Sequence, residues 1–330
     1  MRTGYSTTDS SATRPPANAW RLRCDTFRMR HACTLLLGAG FALLTACSRA
    51  STAAPAAESR PAIATQDAVM QEIEPGAKIL VVGATGSVGR LVVAEALDAG
   101  YRVRALVRNR ARAERMLPAQ TTLVVGDLTA PDSLSAAVSG VDGIVFTHGS
   151  DSQARDVNYG GVRNVLFALD GRPVRVAMMS AVGVTRPIDA SRIDIESRGW
   201  KRRGERLLRA SGLLYTIVRP GWFDYNAADQ QRMVFRQGDT PQTGTPRDGV
   251  IARQQIAEVL IASLASNAAN RKTLELVAEQ GQAQADLEPL FAALEPDVEA
   301  ALDGPRDQDN LPLSGEPALF REDLQRIGRD

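Results

Sequence analysis

A β-rich run, Lys78-Ile79-Leu80-Val81-Val82, passes without a break into Gly83-Ala84-Thr85-Gly86-Ser87-Val88-Gly89 and then into an amphipathic stretch. Glycine at 83 and 86 permits a tight turn and lets backbone approach a bound pyrophosphate. Glycine at 89 lets a following helix pack closely on the strand. The N-terminus of that helix offers free N–H groups and a positive dipole end to an anion. A second β-rich run, Val103 to Val107, follows at the distance expected of a βαβ unit. That context separates a dinucleotide loop from a chance glycine turn. Gly83, Thr85, Gly86, Ser87, Val88 and Gly89 are the cofactor-binding residues expected of this loop.

The pattern continues down the chain. Strands are predicted at 78–82, 102–107, 122–125, 143–146, 175–179, 215–218 and 273–277. Helices are predicted between them at 87–99, 111–116, 131–138, 159–169, 200–211, 254–265 and 287–294. Such alternation predicts an α/β fold, a Rossmann-type doubly wound parallel sheet over 76–330, with a small C-terminal substrate lobe over about 221–330. The stripe Leu287, Leu290, Phe291 and Leu294 reads as packing for that lobe, and residues 304–316, with Pro305 and Pro312, as loop.

The residues ahead of this unit have a different character. Residues 1–47 hold six Arg (2, 14, 21, 23, 28, 30) and two Asp (9, 25), a local charge of +4, and end in the apolar run Ala32–Ala46 followed by Cys47. A basic region before an apolar core of this length is the pattern of a secretory signal, too short for a permanent membrane span. Leu44-Thr45-Ala46-Cys47 resembles a bacterial lipobox, in which the cysteine is lipidated and becomes the mature N-terminus. Residues 48–75, rich in Ala, Ser and Pro, read as a flexible tether. The expectation is a domain anchored by lipid on the periplasmic side of the cell envelope. Translation from Met70 instead gives a cytoplasmic protein without an anchor, and Met29 is an alternative start that keeps the signal.

Composition excludes several functions. Lys+Arg 39 against Asp+Glu 38 leaves a net charge of +1, unlike a dedicated nucleic-acid binder. The two histidines, His31 and His148, are too few for a multi-histidine metal site, so no metal is expected. Cys24, Cys33 and Cys47 all precede the folded unit, which leaves it without thiol chemistry. The expected partners are a nucleotide and a small-molecule substrate; the sequence does not speak to oligomeric state.

The second strand ends in Arg108-Asn109-Arg110. An NAD site places Asp or Glu there for the ribose 2′-hydroxyl, whereas a guanidinium suits the 2′-phosphate of NADP. Arg108 therefore predicts NADP(H) over NAD(H), with Arg110 either sharing the role or solvated.

With these motifs quoted, together with Gly126-Asp127-Leu128, Val157 to Val165, and Arg219-Pro220-Gly221, residues 77–280 resemble the atypical and extended short-chain dehydrogenase/reductases, the NmrA-like members above all. The resemblance implies that Asp127 and Leu128 lie by the adenine, that Thr147 and its neighbours line the ribose side, and that Pro220 belongs to the nicotinamide-side turn. Reductases of that superfamily commonly use a Tyr-x-x-x-Lys pair and a Ser. Lys201, four residues before Glu205, matches the family lysine as a cofactor-ribose and catalytic residue, and Ser180 matches the serine. Counting back four from Lys201 gives Ser197, so the usual tyrosine is absent. Lys201 also lies in a basic run, Lys201 to Arg209, that reads equally well as a solvated helix face. Tyr159, Trp200, Trp222 and Tyr225 read as core or pocket wall, and His148 as a capping or cofactor-side hydrogen-bonding group.

The implied activity is NADP(H)-dependent oxidoreduction of a small molecule that needs little acid assistance, such as a flavin or quinone. The alternative is a catalytically silent NADP(H)-binding sensor. Export and NADPH sit uneasily together, because the envelope supplies no free NADPH; a cofactor carried out with the protein, translation from Met70, or a segment that is not a signal after all reconciles them.

Overall fold

The computed structural model describes residues 72–187, 193–240 and 242–328. The expected signal, Cys47 and most of the tether lie outside the described residues. Among the described residues no helix is long and apolar enough to cross a membrane.

The first strand, β1 (Lys78–Val82), leads into α1 (Gly89–Asp98), β2 (Arg102–Val107), α2 (Arg110–Glu114), β3 (Thr122–Val125), α3 (Ser135–Val138) and β4 (Gly143–Phe146). Next come a π-helical turn at Ala154–Tyr159, α4 (Gly160–Leu169), β5 (Arg175–Met179), α5 (Ile193–Ala210) and β6 (Leu214–Pro220). The chain continues through β7 (Trp222–Phe223), β8 (Arg232–Arg236), β9 (Val250–Ile251), α6 (Arg253–Ala265), β10 (Lys272–Glu279), α7 (Glu288–Ala292) and α8 (Ala318–Ile327).

Eight strands form one sheet in the order β3-β2-β1-β4-β5-β6-β10-β8, parallel except for β8, which runs antiparallel to β10. This is the expected Rossmann-type doubly wound sheet. Its strand order reverses between β1 and β4, and ligands of such sheets bind in the crevice at that switch point, beyond the carboxyl ends of the strands.

Alternation along β1 explains the two-sided core. Ile79 and Val81 point to one face, where they join Val92, Val93 and Ala96 of α1 and Ile256, Leu260 and Leu264 of α6. Leu80 and Val82 point to the other, against Val162 and Val165 of α4, Leu207 and Leu208 of α5 and Phe320 of α8. Strands covered on both faces must be apolar throughout, which is why they read as continuous hydrophobic runs.

Three boundaries depart from the sequence reading. The fold begins ahead of residue 76: Ile73 is buried and its carbonyl accepts the Tyr101 hydroxyl at 2.9 Å. Helix α1 starts at Gly89, not 87, because Gly86 to Val88 form the turn, with Gly86 N–H on the Gly83 carbonyl. Helix α5 starts at Ile193, seven residues before the predicted start. Beyond residue 221, β8, β10 and α6 extend the central sheet and its cover, while β7 and β9 pair separately.

Candidate functional site

Gly83 has φ +86°, and a Cβ there would stand 2.7 Å from the His148 nitrogen, so only glycine brings the end of β1 against the segment after β4. A Cβ on Gly89 would lie 2.1 Å from the Gly83 carbonyl oxygen, so α1 reaches the turn only without a side chain. Val88 is buried beneath the loop, while Thr85 is half-buried and Gly86 and Ser87 are exposed along it. The result is a backbone cradle at the switch point, open where a pyrophosphate fits and capped by the N-terminus of α1.

The residues expected at the adenine end lie beside it. Arg108 and Asp127 follow β2 and β3, which pair directly through Val107 and Val125. Asp127 accepts hydrogen bonds from the Thr129 N–H (2.9 Å) and hydroxyl (2.8 Å), which hold its carboxyl below the usual range with help from Arg108. Arg108 is exposed, but Arg110 is engaged, donating to the Leu123 carbonyl at 2.9 Å and facing Glu114. Leu128 packs on Gly161, and its carbonyl accepts from Asn164 at 2.6 Å. The Thr147 hydroxyl is spent on the Val82 carbonyl at 2.9 Å, so it clips β4 to β1 and leaves only backbone for the ribose side.

At the other end, the π-helical turn projects Asn158 between two loops. Its amide accepts from Ser150 N–H at 2.8 Å and donates to the Ser150 carbonyl and to the Ser197 hydroxyl at 3.1 Å. Ser197, in the place of the family tyrosine, is therefore buried and held by Asn158. Lys201 stands one turn further along α5, its Nζ 3.4 Å from where a Gly149 Cβ would be, with no hydrogen-bond or ion-pair partner among the described residues. Burial lowers its pKa, against the pull of Glu205 and Asp151. Burial, and then the Lys201 charge, push His148 down to about 3, so its ring is neutral and not an acid at ordinary pH. Its Nδ1 has no partner among the described residues.

Ser180 is buried at the end of β5, where its hydroxyl makes no hydrogen bond of ordinary geometry among the described residues but favours the charged form of Glu205. Pro220 ends β6, its carbonyl accepting from Val182 N–H at 3.3 Å. The residue before it, Arg219, turns inward and is fully buried, bound to Glu205 and Asp307 at 2.7 Å each.

The basic run of α5 is not a solvated face. Arg202 and Arg206 hold Asp303 at 2.8 and 2.5 Å, Arg203 and Arg206 hold Glu316 at 2.5 and 2.8 Å, and Arg209 holds Asp297 at 3.0 Å. Buried guanidinium groups need such partners, and the C-terminal segment supplies them. Tyr159 and Trp200 are core: the Tyr159 hydroxyl donates to Asp323 of α8, and the two rings pack at 5.5 Å. Trp222 and Tyr225 make an edge contact at 6.1 Å, with Tyr225 exposed, and remain wall candidates.

Sequence reading missed Arg253, whose Nε donates to the Ser87 hydroxyl at 3.1 Å. An arginine at the first position of a helix faces the positive dipole end, and that mismatch was the available signal.

Sheet order, switch-point cradle and glycine spacing define a Rossmann-type nucleotide-binding protein. The profile of a family described as NAD(P)H-binding matches residues 83–267, more than half of the chain, and the chain belongs to that family. It is 31% identical over 217 residues to a photosystem II assembly factor of Cyanophora paradoxa, a match spanning 63% of this chain and 66% of that protein, just under two thirds of its length. It is 28% identical over 218 residues to an uncharacterized sugar epimerase of Bacillus subtilis, covering 60% of this chain and 93% of the other. Among solved structures, a Bacillus halodurans protein described as an NAD-dependent epimerase/dehydratase aligns with TM-score 0.55 and 25% identity, over 66% of this chain and all of that one. A Lactococcus lactis oxidoreductase shares the fold at TM-score 0.52 and 18% identity, over 66% of this chain and 96% of its own.

Proposed function

We propose that this protein is an NADP(H)-dependent oxidoreductase of the atypical short-chain type, held at the bacterial cell envelope by lipid on Cys47. The observation that carries the catalytic part is the continuity of the site. Gly83 packs on His148, Gly149 follows, and beside it stands the Lys201 ammonium, which has no hydrogen-bond or ion-pair partner among the described residues. The glycine cradle fits a pyrophosphate, Arg108 suits a 2′-phosphate, and Lys201 suits the hydroxyls of the nicotinamide ribose.

The nicotinamide, when bound, supplies a hydride. Lys201 would hold the hydroxyls of the nicotinamide ribose, and burial, which lowers its pKa, has already stripped part of its hydration. Neither Ser197 nor His148 supplies a proton: the first is held by Asn158, the second is neutral. The proton that completes reduction comes from water, which favours acceptors such as quinones and flavins over carbonyls that need acid assistance. For the same reason the epimerase chemistry named for two of the similar proteins fits poorly, since no base stands where the tyrosine would be.

The test is turnover by the full-length chain. Oxidation of NADPH in the presence of a soluble quinone or flavin mononucleotide is expected, with loss of at least tenfold in Lys201→Ala. Binding without turnover of quinone, flavin or carbonyl substrates would replace this reading with the silent sensor, which the held Ser197 also fits.

A further inference from the structure

We infer that Arg253 is a phosphate clamp for the dinucleotide, held at rest by Asp224. The inference rests on the cofactor reading above and goes beyond it, because Arg253 comes from α6, outside the βαβ unit that carries the glycine loop.

Four observations converge. Arg253 Nε donates to the Ser87 hydroxyl, within the glycine loop, at 3.1 Å, so the guanidinium already touches the cradle. It is one third exposed, and its Cζ lies over the Phe223 ring, 5.1 Å from the centroid. It opens α6, and α6 packs beside α1, with Gln254 bonded to Glu95 at 3.1 Å. The first turn of α6 therefore lies against α1. Finally, Asp224 pairs with the Arg253 guanidinium and accepts from its backbone N–H at 3.0 Å.

Asp224 has φ +58°, in the left-handed region that aspartate visits more readily than most residues, and its neighbours hold it there. They do so here: β7 and β9 pair through Trp222 and Val250, and Asp224 N–H donates to the Ile251 carbonyl at 2.8 Å. The carboxylate is thus held against Arg253 from a rigid mount, yet it is half exposed, and exposed pairs exchange partners readily. Arg253 is the guanidinium that meets the glycine loop, and Asp224 is the carboxylate that pairs with it. A pyrophosphate brings two charges and oxygens spaced for a guanidinium fork, so it displaces Asp224 from Arg253.

The test measures affinity of the full chain for NADPH and for adenosine 2′-monophosphate, which lacks the pyrophosphate; if NADH is the bound form, adenosine replaces the fragment. In Arg253→Gln, NADPH affinity is expected to fall tenfold or more, fragment affinity to stay within twofold, and Arg253→Lys to recover part of the loss. Asp224→Asn is expected to tighten NADPH several-fold, because it removes the competitor. Unchanged NADPH affinity in Arg253→Gln, or an equal loss for the fragment, overturns the clamp while leaving the cofactor reading in place. A wild-type chain that binds neither dinucleotide sinks that reading and the clamp together.

Discussion

Arg219 and Glu205 meet at 2.7 Å with neither side chain exposed to solvent. Around them Asp307 adds a second carboxylate at 2.7 Å, Glu275 a third at 3.3 Å, and Arg209 a second guanidinium. Removing the central cation leaves several carboxylates buried without it. Arg219→Ala is expected to destabilise the protein by about 3–5 kcal/mol, the cost of breaking a buried pair from one side. Urea denaturation at pH 7 measures it, and a loss below about 1 kcal/mol would contradict a fully buried pair.

Glu275 gives the same cluster a pH dependence. Burial first, with Asp239 and Asp307 adding, pushes its carboxyl up from 4.5 to about 7. An acid raised in the folded state contributes stability below its unfolded pKa and loses it as pH rises through the folded value. His148, lowered from 6.5 to about 3, acts in the opposite sense: its contribution is present above 6.5 and lost as pH falls. The two slopes oppose each other between 4.5 and 6.5. Glu275→Gln removes one of them, so its stability is expected to climb from pH 5 to pH 7 relative to wild type. At pH 8 it should exceed wild type by about 1–3 kcal/mol. Equal pH profiles for the two proteins would rule this out.

Gly86 and Gly89 separate binding from folding. A Cβ on Gly89 strikes the Gly83 backbone at 2.1 Å, whereas one on Gly86 meets only that carbonyl at 3.1 Å. Gly89→Ala is expected to cost about 1–3 kcal/mol of stability as well as nucleotide binding. Gly86→Ala should keep most of the stability and weaken binding, as titration calorimetry beside thermal unfolding would reveal.

Arg108 is expected to set cofactor choice. Arg108→Ala should lower the ratio of NADPH to NADH affinity about tenfold, on the scale of one charge-assisted phosphate contact. An unchanged ratio removes the basis for an NADP preference.

The proposed anchor depends on Cys47. Cys47→Ala is expected to abolish palmitate labelling and shift the protein out of the membrane fraction of a bacterial host. Labelling that survives the substitution would dismiss the lipobox.

What was legible in the sequence follows from what each segment buries. The parallel strands β1 to β5 carry apolar residues on both faces, and their predicted bounds coincide with the observed ones. The glycine loop was legible because its chemistry is local. The early turns of α5, which hold Ser197, Arg198 and Gly199, lack an apolar stripe because what they bury is polar. Strand β8 is a short edge between two arginines, and α8 shows its purpose only through Phe320 and Asp323 meeting Tyr159. The α5 arginines looked like solvent contacts because their carboxylates lie some 90 to 110 residues away in the chain. No local pattern announces a partner at that distance.

The arginine ladder on α5 also ties that helix to a distant stretch of chain. Arg202, Arg203, Arg206 and Arg209 precede Asp297, Asp303 and Glu316 in sequence, so these guanidinium groups have their partners only once residues 297–316 are in place. Closure of the lysine-bearing helix over its buried charges therefore requires residues 297–316, however early α5 itself forms.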